Sequence, residues 1–149
     1  MKKVLIKSIF FIVIGFFIGD ILFGDIKSYF NKIKNMDTYY FLQEGIYTDA
    51  DRLQDNLRNL SQKMVDFEDN EYHVYVGITK SKEIADMIIQ IYEKKGYKIH
   101  IKEKGVRSEE FSENVNQFDL LIESTDDEDQ ILTIEKVVLA NYEEIIQKK

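Results

Sequence analysis

Apolar residues follow three different patterns along the chain. Residues 4–24 are almost continuously apolar, residues 39–103 switch between strand-like and helix-like spacing, and residues 108–147 carry apolar residues at helical spacing. A period of two residues is typical of a strand with one buried face, and a period of about 3.6 residues is typical of an amphipathic helix. The pattern therefore predicts an apolar N-terminal segment, a mixed domain and a helical tail.

The mixed domain contains an internal repeat with an offset of 32 residues. Tyr40 corresponds to Tyr72 and Gly45 to Gly77, and in each copy a strand-like segment leads into an amphipathic helix. A second strand-like segment follows each helix. We predict strands at residues 39–47, 63–68, 72–79 and 98–103.

Two βαβ units of this kind fold into one four-stranded antiparallel sheet with both helices on one face, an α+β arrangement of the ferredoxin or RNP type. We expect the strand order 4-1-3-2, which places the first and third strands in the middle. Side chains alternate between the two faces of a strand. The helix side is predicted to hold Tyr40, Leu42, Ile46, Tyr72, Val74, Val76 and Ile78, and the second face Phe41, Gln43, Tyr47, His73, Tyr75 and Thr79.

Residues 4–24 are predicted to form a transmembrane anchor. As a helix this segment would rise about 31 Å, close to the thickness of a bilayer's hydrocarbon core. Lys7 and Asp20 interrupt it, and the uninterrupted residues 8–19 also suit the apolar region of a cleaved signal peptide. Because no site with small residues follows the apolar run, an uncleaved anchor is preferred over a signal peptide or a buried core helix.

The positive charges of the leading end indicate the orientation of the anchor. Lys2, Lys3 and Lys7 favour a cytoplasmic position for this end and place the rest of the chain outside the cytoplasm. We therefore expect a single-pass protein of the cell membrane. Its expected parts are a cytoplasmic tip and anchor at residues 1–24, a juxtamembrane linker or helix at 25–37, a sheet domain at 38–106 and a helical hairpin at 107–149.

Charge and cysteine content narrow the range of partners. The formal net charge is -7, and because residues 1–24 carry +2, the remaining 125 residues carry -9. Such an acidic body repels phosphate backbones, so we expect no nucleic-acid partner, although an RNA-binding sheet would share the central aromatic side chains. The chain has no Cys, which excludes disulfides and thiolate metal ligands.

Two sequence segments resemble the SPOR domain family. YYFLQEGIY at residues 39–47 is similar to the Q-x-G-x-[FY] opening of that family, with Gln43, Gly45 and Tyr47 in place. YHVYVGITKSKEIADMIIQIYEKKGY at residues 72–97 is similar to its second half. The resemblance covers about residues 39–103 and implies the βαββαβ order. It also implies binding to bacterial peptidoglycan, with a preference for glycan strands without stem peptides, often at the division or sporulation septum.

The second face of the predicted sheet offers groups that suit a glycan. Sugars present hydroxyl groups, amide groups and flat C–H faces, which aromatic rings and amide side chains recognise. The resemblance assigns Gln43 to hydrogen bonding with a sugar, and Phe41 and Tyr75 would be stacking surfaces. Alternatively, these aromatic side chains pack under the C-terminal helices. The predicted glycan-binding residues are Phe41, Gln43, Tyr47, His73, Tyr75 and Thr79.

No sequence feature indicates catalysis, a cofactor or a metal site. No pair of carboxylates is marked by burial or by a neighbouring base, and no Ser or Cys nucleophile motif is present. His73 and His100 would lie on strands separated by a third strand, about 9 to 10 Å apart, which is too far to share one Zn²⁺. We expect a binding protein and not an enzyme.

The tail is predicted to form two amphipathic helices, at residues 108–123 and 126–147, with Thr125 and Glu128 as a capping box for the second. Their apolar stripes must be buried against each other, against the second face of the sheet, or against another protein. Two functions follow as expectations. One is a membrane-anchored, SPOR-like protein that binds peptidoglycan during septal or sporulation wall assembly; the alternative is a membrane-tethered adaptor that binds another envelope protein through the tail.

Overall fold

A computed structural model describes residues 36–147 of the chain. The predicted anchor at residues 4–24, and most of the predicted linker, lie outside the described residues. Within them, no helix combines the length and apolar character that crossing a membrane requires. The elements are β1 (Asp37–Tyr47), α1 (Ala50–Leu57), β2 (Met64–Glu68), β3 (Glu71–Thr79), α2 (Lys82–Lys94), β4 (His100–Val106), α3 (Glu109–Glu123) and α4 (Glu128–Gln147).

The described strands form one antiparallel sheet in the order β2-β3-β1-β4. This order is the predicted 4-1-3-2 order, and the α+β class is confirmed. β1 and β3 occupy the middle of the sheet because each pairs with a strand on both sides. The four strands and the four helices belong to one compact unit.

Helices α1 and α2 cover one face of the sheet, which we call the helix face. Asp49 and Ser81 cap the two helices, each accepting a hydrogen bond from a backbone N–H of the first turn. Gly96 follows α2 with a φ of 87°, a left-handed conformation that suits glycine. The first core cluster lies here and includes Leu42, Leu53, Val74, Val76, Ile84, Ala85, Ile88, Ile91 and Tyr92.

Helices α3 and α4 form a hairpin that covers the second face. This is one of the three hosts that the sequence left open for the tail. The hairpin contributes to a second core cluster on this face, so the sheet lies between two helical layers. Near its turn the hairpin also reaches the first core cluster, which includes Ile122, Ile131 and Leu132. The second core cluster consists of Tyr39, Phe41, Met64, Tyr75, Ile78, Val106, Phe111, Val115, Val138, Leu139 and Tyr142.

The caps of the hairpin helices are made by Ser108 and Asp127. The Ser108 hydroxyl accepts from the N–H of Phe111, and an Asp127 carboxyl oxygen accepts from the N–H groups of Asp129 and Gln130. The cap of α4 is therefore Asp127, two positions after Thr125, and the predicted capping box of Thr125 and Glu128 is wrong. Asp127 is the better cap because its carboxylate reaches two unpaired N–H groups of the first turn.

Two bulges interrupt the pairing of β1 with β3. Leu42 lies opposite Gly77, yet the next residue, Gln43, lies opposite Tyr75, so β3 has an extra residue at this point. A second shift follows, because the pairing passes from Gln43 directly to Gly45. Each extra residue reverses the alternation of side chains beyond it.

Because of these bulges, four of the predicted side-chain positions are wrong. Ile78 lies opposite Phe41 and packs in the second core cluster, whereas Thr79 lies opposite Tyr40, which packs against the first. Ile46 and Tyr47 are exchanged in the same way. Ile46 is about half exposed opposite His73, and Tyr47 packs against the first core cluster opposite Tyr72.

The edge of β3 extends beyond its partner β2, whose first residue, Met64, lies opposite Tyr75. The backbone groups on this edge are paired by side chains from elsewhere. The C=O of Val76 accepts from Gln62 Nε2 at 3.4 Å, the N–H of Ile78 donates to Glu135 Oε2 at 2.9 Å, and the N–H of Lys80 donates to Asp119 Oδ2 at 3.1 Å. Two of these three side chains belong to the hairpin.

Candidate functional site

Five of the six predicted glycan-binding side chains are buried, and the sixth is half-buried. Phe41, Tyr75 and Thr79 have no exposed surface, and Gln43 retains 8%. His73 is also buried, and Tyr47 is half-buried. A polysaccharide lying on the second face would therefore not contact the two aromatic side chains that were expected to stack on it.

An aromatic cluster at the hairpin explains this burial. Tyr142 of α4 packs edge-on against Phe41, with 5.1 Å between ring centroids. Phe111 of α3 packs against Tyr142 at 5.4 Å and against Tyr39 at 5.2 Å. Phe41 contacts Tyr75 at 5.3 Å. Because edge-to-face ring contacts add to burial in stabilising a core, the hairpin is an integral layer of the domain.

Gln43 and His73 are buried polar side chains on the two central strands, β1 and β3. Gln43 lies opposite Tyr75 on one side and His100 on the other. The His73 ring is stacked beside Tyr75, with 6.4 Å between centroids, and its Nδ1 atom has no hydrogen-bond partner among the described residues. Both side chains are buried, so neither lies in an open groove.

Thr79 has a structural role that the sequence did not indicate. Its hydroxyl donates to Asp119 Oδ1 at 2.8 Å and accepts from the N–H of Ser81 at 2.9 Å. Burial raises the pKa of Asp119, although its hydrogen bonds with Thr79 and Lys80 partly oppose the shift. Thr79 thus joins the start of α2 to the hairpin.

Tyr47 belongs to an aromatic row at one end of the helix face. Tyr47, Tyr72 and Phe67 are opposite one another on three adjacent strands, and Phe67 and Tyr72 are in contact at 4.8 Å between centroids. Phe67 is 57% exposed. The Tyr47 hydroxyl donates to Glu44 Oε2 at 2.8 Å, and burial, together with this carboxylate, raises the pKa of Tyr47 to about 12.

Gly45 allows the Tyr47 ring to lie flat on the backbone of β1. A Cβ atom at position 45 would lie 2.9 to 3.0 Å from the Tyr47 ring and hydroxyl. The spacing of Gly45 and Tyr47, which carried part of the family resemblance, therefore has a local steric reason. It positions the ring at the end of the aromatic row.

Lys104 bridges the second face beside the hairpin. Its Nζ lies 2.9 Å from Glu68 Oε1 and 3.5 Å from Asp66 Oδ2, both on the far edge strand β2. The same Nζ atom lies 5.3 Å from the ring centroids of both Phe41 and Tyr75. The hydrogen bond with Lys104 lowers the pKa of Glu68. Any ligand that approached this margin would have to displace the ion pair.

Glu135 is a carboxyl group in the interior of the domain. Its side chain has no exposed surface, and Oε1 has no hydrogen-bond partner among the described residues. Burial raises its pKa to about 8, despite the hydrogen bond from Ile78. A signal for this site was present in the sequence, because Glu135 lies on the apolar stripe of Ile131, Val138 and Tyr142 at helical spacing.

An apolar surface remains on the outer side of the hairpin. Asn114 Nδ2 donates to Asn141 Oδ1 at 3.2 Å near its open end, and Thr125 Oγ1 donates to Gln130 Oε1 at 3.0 Å near its turn. The first contact joins α3 to α4, and the second joins the turn between them to the start of α4. Between the two polar pairs lies the outer seam, which we define as Phe118, Leu121, Ile134 and Val137.

The outer seam is partly accessible. Leu121 is 52% exposed and Val137 49%, and these two side chains form the accessible part of the seam. Phe118 and Ile134 are half-buried and pack against the second and the first core cluster respectively. Leu120, beside the seam, is 65% exposed. Large apolar side chains exposed together mark interaction surfaces more often than isolated ones do.

A small cleft lies between α4 and the loop that precedes β2. Its volume is about 240 Å³, and its walls include Lys63, Lys136 and Glu143. Lys63 donates to the carbonyl groups of Leu57 and Leu60. The amine of Lys63 therefore satisfies the last carbonyl of α1 and one carbonyl of the following turn, which accounts for its position without a ligand.

No three His, Asp or Glu side chains converge as metal ligands within residues 36–147. His73 and His100 lie on β3 and β4, and β1 separates these strands. The described domain therefore shows two surfaces that could bind a partner, the outer seam and the aromatic row.

Comparison of the chain with family models, with curated proteins and with solved structures finds no match. The class of protein is accordingly defined by the fold and its surfaces, as an α+β domain with a helical layer on each side of a four-stranded sheet.

Proposed function

We propose that this protein is a membrane-tethered, non-catalytic adaptor that binds another protein of the cell envelope through the outer face of its C-terminal hairpin. The outer seam is the observation that carries this proposal. The inner sides of both hairpin helices are buried against the sheet, yet Leu121 and Val137 remain about half exposed on the outer side. Apolar side chains left at a surface between two packed helices suit contact with a protein.

The burial of the second face favours this function over glycan binding at the predicted site. A sugar would need contact with the rings of Phe41 and Tyr75, which have no exposed surface. To expose them, the hairpin would have to leave the sheet and give up the contacts of Phe111 and Tyr142 with the second core cluster. The adaptor function requires no such rearrangement.

The membrane tether is proposed from the sequence. The apolar residues 4–24 are long enough to span a bilayer, and Lys2, Lys3 and Lys7 favour a cytoplasmic leading end. The body would then lie outside the cytoplasm on a single-pass anchor. A reporter that is active only outside the cytoplasm, fused after Lys149, tests this topology, and activity of a cytoplasmic reporter at the same position would reverse it.

The absence of catalysis is proposed from the roles of the buried acids. Glu135 and Asp119 each accept hydrogen bonds from β3 or the residue that follows it. Both acids are covered by the fold, and neither lines the cleft beside α4. Their positions suit the attachment of the hairpin more than general acid or base chemistry, which requires contact with a substrate.

Photo-crosslinking in living cells tests the adaptor function. The photoreactive residue p-benzoylphenylalanine is placed at Leu121 or Val137 in the outer seam, and at Phe67 as a matched control, because Phe67 is equally exposed and lies on the sheet. We expect discrete, saturable adducts with one envelope protein from the two seam positions and not from Phe67. Adducts of equal yield from all three positions, or adducts from none, would contradict the proposal.

The aromatic row favours glycan binding as a second candidate function. Tyr47, Tyr72 and Phe67 present partly exposed rings on three adjacent strands, with the Glu44 carboxylate beside them. Rings with neighbouring polar groups suit sugars. This function agrees with the resemblance to the SPOR domain family and with a role in septal or sporulation wall assembly.

Co-sedimentation with amidase-treated and with intact peptidoglycan tests this second function. We expect Phe67→Ala to weaken binding to the amidase-treated wall if the aromatic row is the site. Gln43→Ala is the matched comparison, because Gln43 is buried at the predicted site on the second face. Loss of binding in Gln43→Ala alone would instead favour the second face, and failure of the wild type to bind either wall would exclude the glycan.

A further inference from the structure

The negative charge of the described domain is concentrated on the hairpin. Residues 108–147 contain twelve Asp and Glu residues and one basic residue, Lys136. Residues 36–107 contain thirteen acidic and eleven basic residues, so the sheet and its two helices are nearly neutral. The strongest field of the domain therefore originates from the layer that carries the outer seam.

The acidic residues are densest at the turn of the hairpin. Five carboxyl side chains lie within seven positions there, at Glu123, Asp126, Asp127, Glu128 and Asp129. Asp127 caps α4 and Glu128 pairs with Lys94. All five side chains are exposed, so the turn end of the seam has a strongly negative border.

The dimensions of the outer seam suit one helix. The seam lies between the Asn114–Asn141 pair and the Thr125–Gln130 pair. Within α3, the nine positions from Asn114 to Glu123 correspond to about 14 Å along the helix axis, or two and a half turns. Amphipathic helices bind apolar surfaces of other proteins through apolar residues at positions i, i+3, i+4 and i+7.

We infer that the outer seam binds a cationic amphipathic helix of a partner protein, with the apolar side of that helix on the seam and its Lys or Arg residues near the acidic turn. This inference rests on the proposed adaptor function and specifies the chemistry of the partner. Complementary charge speeds association and selects the partner, while the apolar contacts provide most of the affinity.

The same charge distribution disfavours two other occupants. A second copy of this chain would bring two hairpins with twelve acidic residues each into contact, and like charges across an interface are unfavourable. An anionic membrane surface would be repelled for the same reason. A helix with positive charges is the occupant that satisfies both the apolar seam and its border.

The test measures binding of defined peptides to the full-length protein in nanodiscs of neutral phosphatidylcholine. Since the chain contains no Cys, Gln117→Cys provides a unique site beside the seam for an environment-sensitive fluorophore. The probe is an 18-residue peptide with Leu at helical spacing and Lys elsewhere. One control peptide has Glu in place of every Lys, another has the same composition with Leu at every second position, and empty nanodiscs measure binding to lipid.

We expect the Lys peptide with helical spacing to bind and the Glu peptide not to bind. Leu121→Gln and Val137→Gln should each weaken binding about tenfold, which is the value of one buried aliphatic side chain. The double variant Asp126→Asn, Asp129→Asn should also weaken binding of the Lys peptide. The effect should be larger at low salt than at high salt, because salt screens the charges of the turn. Met87→Gln, an exposed apolar position on α2, is the matched control and should leave binding unchanged.

Each alternative outcome has a defined meaning. Equal binding of the Lys and Glu peptides, or binding unaffected by both seam variants, would overturn the inference. If the Lys peptide fails while crosslinks from Leu121 persist in cells, the partner is a protein of different chemistry and the adaptor function stands. If the crosslinks are also absent, both the inference about the partner and the adaptor function are wrong.

Discussion

The carboxyl group of Glu135 on α4 accepts a hydrogen bond of 2.9 Å from the backbone N–H of Ile78 on β3. The hairpin is thus attached to the unpaired edge of a central strand by an acid that has no exposed surface. An isolated ionised carboxylate in such surroundings is costly, so the acid keeps its proton to a higher pH than usual. The attachment of the hairpin is consequently linked to pH.

The first prediction concerns the pH dependence of stability. The unfolded chain ionises Glu135 near its ordinary pKa of 4.5, whereas burial holds the folded-state pKa at about 8. Between these values the folded state binds more protons, so the contribution of Glu135 to the free energy of unfolding is complete below pH 4.5 and is lost as the pH rises through 8. The loss should be on the order of 5 kcal/mol.

Urea titrations of the full-length protein in neutral detergent, followed by tyrosine fluorescence at pH 5, 7 and 9, measure this effect. Glu135→Gln cannot ionise, so the stability of the wild type relative to this variant should decrease as the pH rises. Asp119, whose pKa is also raised by burial, adds a dependence of the same sign to both proteins. A difference between the two proteins that stays constant with pH would contradict the assignment.

A second prediction concerns the close approach of the hairpin to Gly77. A Cβ atom at this position would lie 3.0 Å from both Glu135 Oε2 and Leu42 Cδ1. We expect Gly77→Ala to destabilise the domain by about 1–3 kcal/mol, because both neighbours are buried and cannot move freely. Its effect should be non-additive with that of Glu135→Gln, since the two residues are in contact.

Gly96→Ala is the control for Gly77→Ala. A Cβ at position 96 meets no atom within 4 Å, but the φ of 87° is unfavourable for alanine. It should cost about 1 kcal/mol through the backbone alone. In a double-mutant cycle with Glu135→Gln the effect of Gly96→Ala should be additive, and equal coupling for both glycines would show that contact with Glu135 is not the cause.

A third prediction concerns removal of the hairpin. A chain that ends at Val106 would expose the apolar side chains of the second face, including Phe41, Tyr75 and Ile78. We expect this chain to be insoluble or to aggregate, because an apolar face of a sheet needs a covering layer. Sedimentation of the truncated protein beside the full-length protein measures this. A soluble truncated protein with stronger glycan binding would show instead that the hairpin acts as a lid.

A fourth prediction separates two lysines on β4. Lys104 bonds Glu68 and passes over two aromatic rings, whereas Lys102 lies 3.7 Å from Glu68 in a more exposed position. We expect Lys104→Met to reduce the free energy of unfolding by about 1–2 kcal/mol and Lys102→Met by less than about 0.5 kcal/mol. Chemical unfolding of both variants measures the effect, and equal costs would mean that the bridge is not stabilising.

Much of the fold could be predicted from the sequence because its information is local. The repeat that relates Gly45 to Gly77 and the two changes between strand and helix periodicity predict the element order. The strand order follows from joining two βαβ units in one sheet. The structure agrees with both predictions in the described residues.

The side-chain directions beyond the bulges could not be predicted in this way. Strict alternation places Ile78 and Tyr47 on the wrong faces, because one extra residue in a strand reverses everything that follows. The two glycines of the repeat were the available signal, since Gly45 and Gly77 both lie at the bulges. Glycine within a strand often marks such a site.

The location of the hairpin could not be predicted from the sequence either. The apolar stripes required a covering surface, and three surfaces satisfied that requirement equally well. The choice depends on Asp119 and Glu135 reaching the edge of β3, which is a contact between residues 40 or more positions apart. The hydrogen bond of Glu135 to Ile78 helps to hold the hairpin on the second face, where it covers the predicted glycan site.

The edge of β3 beyond Met64 is closed to pairing with a strand of another molecule. The hairpin carboxylates and Gln62 occupy the backbone groups there that an incoming strand from another molecule would need. They act in place of a fifth strand. Any shortening of α4 that removes Glu135 would leave the N–H of Ile78 without its partner and open this part of the edge to a strand from another molecule.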